Sequence, residues 1–141
     1  MTFSALVIGF GSIGKRHAEI MNAMDEIAHL SVLSSQSGLP YDTLSSFEEI
    51  PRLNPDYVVV ASPTDQHDPQ LKFLEEHLQG KKILVEKPIF DSIEEFKVRN
   101  NEVGVGYNLR FHPLIHKMRE LSTFIACSFT MNKYNPLQKQ T

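Results

Sequence analysis

Cysteine, tryptophan and long apolar runs are scarce in this sequence. Its 141 residues include one cysteine and no tryptophan. A single cysteine excludes a disulfide framework and any metal site built from several thiolates. No apolar stretch approaches the roughly 18 residues of a membrane-spanning helix, and no basic run suggests a nucleic-acid surface. The first residues also lack the charged and apolar regions of a secretory signal. We therefore expect a cytoplasmic protein without membrane or nucleic-acid partners.

The composition is that of an ordinary globular domain. Hydrophobic residues make up 41% of the chain, charged residues 22%, and the formal net charge is −3. A chain of 141 residues is typical of one domain and long enough to bury a core.

Short apolar runs alternate with helical patterns along the chain. Strands are predicted at 3–9, 29–33, 56–61, 82–86 and 103–106. Helices are predicted at 13–24, 69–78 and 92–99, and a further one starts at Pro113. This alternation predicts a parallel sheet with helices on both faces. One more strand is predicted over 123–131, before a polar tail, and its unpaired edge predicts self-association of the chain.

The first predicted strand runs directly into a glycine-rich turn. The turn matches G-x-G-x-x-G and consists of Gly9, Phe10, Gly11, Ser12, Ile13 and Gly14. Between a strand and a helix this pattern is typical of dinucleotide binding. The first glycine makes the turn, the second admits a pyrophosphate, and the third lets helix and strand pack closely. The free N–H groups and the dipole of the helix start then attract the phosphates.

The residues after the second strand bear on the choice between NAD and NADP. An NAD site usually places an acidic residue there, where it binds the adenosine ribose. Here the strand is followed by Ser34, Ser35 and Gln36, which carry no charge. The missing acid slightly favours NADP, although no arginine accompanies these residues and they also suit an ordinary polar loop.

Three further motifs each follow a predicted strand. They are Ala-Ser-Pro-Thr-Asp-Gln-His at 61–67, Glu-Lys-Pro at 86–88 and Gly-Tyr-Asn-Leu-Arg-Phe-His-Pro at 106–113. Together with the glycine turn, they resemble the N-terminal domain of the Gfo/Idh/MocA oxidoreductases over residues 1 to about 121. The resemblance implies a Rossmann-type doubly wound sheet and an NAD(P)-dependent activity on a hydroxyl or carbonyl group of a sugar, nucleotide sugar or polyol.

The resemblance also implies roles for individual residues. It assigns cofactor binding to Ser62, Pro63, Thr64, His67, Glu86, Lys87, Pro88, Asn108 and Arg110. It makes Lys87 the catalytic residue and implies that the peptide bond before Pro88 is cis. Hydride transfer from a sugar carbon requires a base for the hydroxyl proton, and the positive charge of an oxidised nicotinamide favours the neutral form of the Lys87 amine.

Full members of the family continue into a larger α+β domain that binds the substrate and supplies a catalytic histidine. The resemblance therefore divides this chain into a dinucleotide-binding domain at 1–121 and a remnant of the substrate domain at 122–141. Two functions stay open: an NAD(P)-dependent oxidoreductase, and a nucleotide-binding fragment without catalysis of its own.

The histidines and the cysteine do not indicate a metal site. His112 and His116 are four residues apart on one predicted helix, a spacing that can bind metal, but no third ligand accompanies them. Cys127 lies in the last predicted strand, where a small buried side chain is expected. We therefore predict no bound metal.

Overall fold

Six strands form one parallel sheet in the first of two compact units. The computed structural model describes residues 1–91 and 96–121. Among them, the first unit holds residues 1–91 and 98–106, and the second holds 96–97 and 107–121. The predicted domain boundary after residue 121 falls at the end of the described residues and stays a prediction.

The strand order reverses at the centre of the sheet. The strands are β1 (Phe3–Ile8), β2 (Ile27–Leu33), β3 (Asp42–Leu44), β4 (Tyr57–Val60), β5 (Lys82–Val85) and β6 (Glu102–Val105). Neighbouring strands are all parallel, in the order β3-β2-β1-β4-β5-β6. Since such crossovers are right-handed, the reversal between β1 and β4 places the connecting helices on opposite faces. The predicted Rossmann-type doubly wound sheet is confirmed.

Helices connect the strands. The first unit contains α1 (Ser12–Asn22), α2 (Ile50–Leu53) and α3 (His67–His77), and the second contains α4 (Pro113–Leu121). Among the described residues, no helix has both the length and the apolar character needed to cross a membrane.

The central strands are buried on both faces. On the α1 face, one core cluster joins alternate strand residues to the helix; it consists of Ala5, Val7, Ala18, Leu30, Val32 and Val59. The intervening residues Leu6 and Ile8 of β1 and Val58 and Val60 of β4 are also buried, on the opposite face. Burial on both faces explains why these strands read as continuous apolar runs. It also fixes the positions of the strand ends, where the candidate site lies.

The predicted helix over 92–99 is wrong in its second half. Residues 96–99 have no regular structure, and residues 92–95 lie outside the described part of the chain. The backbone N–H groups of Arg99 and Asn100 donate to the Glu75 carboxylate at 2.9 and 3.0 Å, so they are not engaged in a helix. The predicted strand at 123–131, its self-association and the place of Cys127 also fall outside the described residues.

Candidate functional site

The loops that follow β1, β2, β4 and β5 share one edge of the sheet. Because all strands are parallel, their carboxyl ends meet there, which is where open α/β sheets bind ligands. Main-chain hydrogen bonds connect the loops: Gly9 N–H donates to Leu33 O at 3.0 Å, and Glu86 N–H donates to Val60 O at 2.9 Å. The sequence-predicted residues of the first unit therefore lie along a single edge.

Close main-chain contacts explain two glycines of the turn. Gly9 has a φ of +88°, and a Cβ there would lie 2.8 Å from the Ser62 nitrogen. A Cβ on Gly14 would lie 1.9 Å from the Gly9 carbonyl oxygen, so helix and strand can approach only without it. Gly11 is different, since a Cβ there would meet nothing within 4 Å. The fold does not require glycine at position 11, and the space beside it is open to a ligand.

The start of α1 is free to bind an anion. Its N-cap residue, Gly11, has no side chain to accept a hydrogen bond, and the first turn contains no acidic residue. The unpaired N–H groups and the positive end of the helix dipole therefore remain available. A groove of about 470 Å³ opens at this point; it is lined by Phe10, Gly11, Ser12, Lys15, Glu19, Gln36, Leu39, Pro40 and Tyr41.

The loop after β2 is tied to the glycine turn. The Gln36 side-chain amide donates to the Phe10 carbonyl oxygen at 2.9 Å, and the Gln36 N–H donates to Ser34 Oγ at 3.1 Å. Gln36 thus forms one wall of the groove, and Ser35 is exposed beside it. The positive charge in the groove lining comes from Lys15, which pairs with Glu19 at 3.8 Å.

The loop after β4 is held by buried polar side chains. Ser62 Oγ donates to Gln70 Oε1 of α3 at 2.5 Å. His67 is only 1% exposed, and its Nε2 lies 2.9 Å from the Ser62 carbonyl oxygen. Its Nδ1 lies 3.1 Å from the carbonyl oxygens of both Pro88 and Ile89. The His67 ring therefore joins the loop after β4 to the loop after β5. Pro63 precedes Thr64, which begins a short 3₁₀ helix over Thr64–Gln66.

The Glu-Lys-Pro motif follows β5 directly. The peptide bond between Lys87 and Pro88 is cis, as the resemblance implied. Glu86 is half-buried, and its Oε1 lies 2.8 Å from Nε2 of His17 on α1. Lys87 is exposed, so its amine can reach a ligand at this edge.

The remaining predicted residues belong to the second unit. Asn108 and Arg110 lie in a short 3₁₀ helix over Asn108–Phe111, and their roles stay predictions. In the same unit, His112 Nδ1 accepts a hydrogen bond from the Leu114 N–H at 3.2 Å. Within residues 1–91 and 96–121, no group of three or more His, Cys, Asp or Glu side chains could hold a metal ion.

The sequence comparisons identify the family. Residues 3–100, well over half of the chain, match the profile of the Gfo/Idh/MocA oxidoreductase family, described as an NAD-binding Rossmann fold. The chain belongs to the Gfo/Idh/MocA family. A search among curated protein sequences found no match.

Solved structures of similar fold include several dehydrogenases. A scyllo-inositol dehydrogenase from Lactobacillus casei, with bound NAD(H) and scyllo-inositol, has a TM-score of 0.70 at 21% identity; the match covers 86% of this chain and 41% of that one. Myo-inositol 2-dehydrogenase from Lactobacillus plantarum has a TM-score of 0.71 at 18% identity, over 85% of this chain and 41% of that one. The WlbA (WbpB) dehydrogenase from Thermus thermophilus, with NAD and UDP-GlcNAcA, has a TM-score of 0.67 at 21% identity, over 85% and 46%. Each match therefore covers less than half of the solved structure.

The helix predicted over 13–24 contains His17, but sequence reasoning missed the partner of this histidine. Gly14, His17 and Ala18 share the spacing of one helix face, and Gly14 and Ala18 are buried against the sheet. That spacing predicts that His17 faces the sheet. Glu86 lies 69 residues further along the chain, and no local pattern connects the two.

Proposed function

We propose that this Gfo/Idh/MocA chain binds a nicotinamide dinucleotide at the carboxyl edge of its sheet. The observation that carries the proposal is the uncapped start of α1 beside Gly11, where a Cβ would meet nothing within 4 Å. The pyrophosphate would lie against the helix start and the glycine turn, Gly9–Gly14, because unpaired N–H groups there can donate to its oxygens. The adenosine end would occupy the groove bounded by Gln36 and Tyr41.

The reaction supported by this arrangement is oxidation or reduction at a hydroxyl or carbonyl carbon of a sugar, nucleotide sugar or polyol. When bound, the nicotinamide would supply the hydride acceptor or donor. Oxidation of an alcohol also releases its hydroxyl proton, and we assign the uptake of that proton to the neutral amine of Lys87. Ser62, Pro63, Thr64, Glu86 and Pro88 would shape the cofactor site around this amine.

The residues that align with the solved dehydrogenases support a dinucleotide site, and substrate binding would need further parts of such an enzyme. The inositol and nucleotide-sugar dehydrogenases of similar fold are more than twice as long as the part that aligns with this chain. We therefore propose that these 141 residues bind a dinucleotide by themselves, and that turnover of a sugar needs a substrate-binding domain in addition.

A fluorescence titration with NADH and NADPH in parallel tests dinucleotide binding. The key variant is Gly11→Ala, which the fold accepts but which places a methyl group in the open space at the helix start. We expect the affinity of this variant for the dinucleotide to be at least about tenfold lower than that of the wild type, since the pyrophosphate can no longer approach the backbone. Gly104→Ala on β6 is the matched control, because a Cβ there also meets nothing within 4 Å. Equal affinity of both variants for NADH would contradict the proposed site.

We further propose a preference for NADPH over NADH. Ser34, Ser35 and Gln36 carry no negative charge that would repel a 2′-phosphate, and Lys15 lines the same groove. The substitution Ser35→Asp should weaken NADPH binding about tenfold more than NADH binding, because it places like charge beside the phosphate. Gln79→Asp adds the same charge before β5, at the amino edge of the sheet, and should leave the ratio of the two affinities unchanged. Tighter binding of NADH by the wild type would show that the loop recognises an unphosphorylated ribose.

A further inference from the structure

The Glu86 carboxylate lies where three elements of the first unit meet. Its Oε1 contacts Nε2 of His17 on α1 at 2.8 Å, and its Oε2 accepts from the Lys87 N–H at 3.3 Å. The same carboxylate lies 3.1 to 3.3 Å from the position of a Cβ on Gly106, directly after β6. Glycine at position 106 therefore leaves room for the carboxylate beside the end of β6.

His67 contacts the same turn at the residues that follow Lys87, whereas Glu86 precedes Lys87. Its Nδ1 contacts the carbonyl oxygens of Pro88 and Ile89, and its Nε2 contacts that of Ser62. A neutral imidazole has one ring N–H and donates at one of these ends, whereas a protonated ring donates at both. In either state the buried ring is bonded to main chain, so it has little freedom to turn toward a ligand.

We propose that His17 and His67 are positioning residues that hold the 86–89 turn from two sides and thereby fix the backbone from which the Lys87 side chain extends. His17 acts through the Glu86 carboxylate, and His67 acts through the carbonyl oxygens that follow Lys87. Lys87 itself is exposed, so its backbone determines where the long side chain starts.

The His17 contact also connects the two halves of the candidate site. Gly14 and His17 are on the same helix, one turn apart, so the helix whose start faces the proposed pyrophosphate position also holds the lysine turn. This connection matters only if the proposed function holds, because only a bound dinucleotide would contact both the start of α1 and the 86–89 turn. The contacts themselves can be tested without a ligand.

Amide hydrogen exchange, measured by NMR on the ligand-free protein, tests whether His17 and His67 hold the 86–89 turn. In His17→Ala and in His67→Leu, exchange of the Lys87 amide should accelerate by about tenfold or more, because neither new side chain can hydrogen-bond and a local opening no longer has to break the contacts that hold the turn. His17→Gln keeps a side-chain N–H that can donate to Glu86 and should restore slow exchange. His29→Ala removes an exposed imidazole from β2 and serves as the control. Amides of the central strands should exchange at the wild-type rate in the His17 variants.

Acetylation of lysines, measured by peptide mass spectrometry, tests the link to the dinucleotide. Saturating NADH should slow acetylation of Lys87 in the wild type, in His17→Gln and in His29→Ala. In His17→Ala, NADH should still bind but should no longer protect Lys87, since His17 does not line the groove at the glycine turn.

Distinct results would overturn the two proposals. Unchanged Lys87 exchange in either His17→Ala or His67→Leu would overturn the two-sided hold. Failure of His17→Gln to restore slow exchange, or acceleration spread evenly over the sheet, would also overturn it. Full protection of Lys87 by NADH in His17→Ala would also overturn it. Absence of NADH binding to the wild type would overturn the proposed function, while the exchange rates would still decide the role of the two histidines.

Discussion

Single residues at the amino edge of the sheet connect strands that are distant in sequence. Asp56, directly before β4, accepts hydrogen bonds from the Ser4 N–H and the Ser4 hydroxyl, both at 2.9 Å. These bonds, from the Ser4 backbone first and its side chain second, hold the pKa of the Asp56 carboxyl below its ordinary value. Lys81, 3.9 Å away, adds a weaker attraction in the same direction.

The lowered pKa of Asp56 predicts an acid-sensitive contribution to stability. The contribution is complete above the unfolded pKa of about 3.9 and is lost as the pH falls through the lower folded value. Asp56→Asn should therefore lower the free energy of unfolding at neutral pH by about 1 kcal/mol or less, because the side chain is 46% exposed and solvent weakens its interactions. Urea unfolding at a series of pH values should show the difference disappearing at low pH. Asp42→Asn removes an exposed carboxylate on β3 and controls for the change in net charge. If the loss of unfolding free energy in Asp56→Asn persists unchanged at low pH, the ionised Asp56 carboxylate is not its source.

At the scale of elements, α3 holds the segment that leads into β6. The buried Glu75 carboxylate accepts from the N–H groups of Arg99 and Asn100 and, at 2.9 Å, from the Asn101 side chain. The Asn101 amide also donates to the Leu78 carbonyl oxygen at the end of α3. Among the described residues, β6 pairs with β5 alone, so it depends on this attachment more than the central strands do.

Glu75→Ala should destabilise β6 selectively. Loss of the carboxylate removes the acceptor of three part-buried hydrogen bonds, which costs roughly 1–3 kcal/mol. Thermal unfolding should show the loss, and hydrogen exchange should locate the largest increase at 102–105. Glu76→Ala, at the exposed neighbouring position, should leave both measurements unchanged. Faster exchange in β1 and β4 than in β6 would show that Glu75 stabilises the sheet in another way.

Elements with strong apolar periodicity were predictable from the sequence, and those formed by distant contacts were not. β4 and α1 were predicted because their runs and spacings are local. β3, with three residues, and α2, with four, are too short for a periodic signal, and both were missed. At the site, the glycine turn and Lys87 follow from motifs, whereas the pairing of His17 with Glu86 requires the folded sheet.

At the scale of the whole molecule, we expect these residues to bind a dinucleotide without needing a bound substrate. The carboxyl edge of the sheet contains the groove at α1 and the exposed Lys87. We expect the chain to respond to the dinucleotide as a folded receptor and not to sugars alone.

Thermal unfolding with ligands tests this expectation. A dinucleotide at 100 times its Kd adds about 2.7 kcal/mol to the stability of the folded state and should raise Tm by several degrees. Myo-inositol and UDP-N-acetylglucosamine, each added without dinucleotide, should leave Tm unchanged. A Tm increase with either sugar alone would show that this chain already contains a substrate site.

The strand order has a consequence for how the chain folds as it is made. β1 forms the middle of the sheet, yet one of its two neighbours, β4, is synthesised much later, as the 52-residue separation of Ser4 and Asp56 indicates. At about 5–20 residues per second, β1 waits roughly 3–10 s on the ribosome before β4 exists. During that interval β1, α1 and β2 can pair with one another, but the opposite edge of β1 stays exposed to other chains. Until β4 arrives, that apolar edge of the nascent chain is open to aggregation or to chaperone binding.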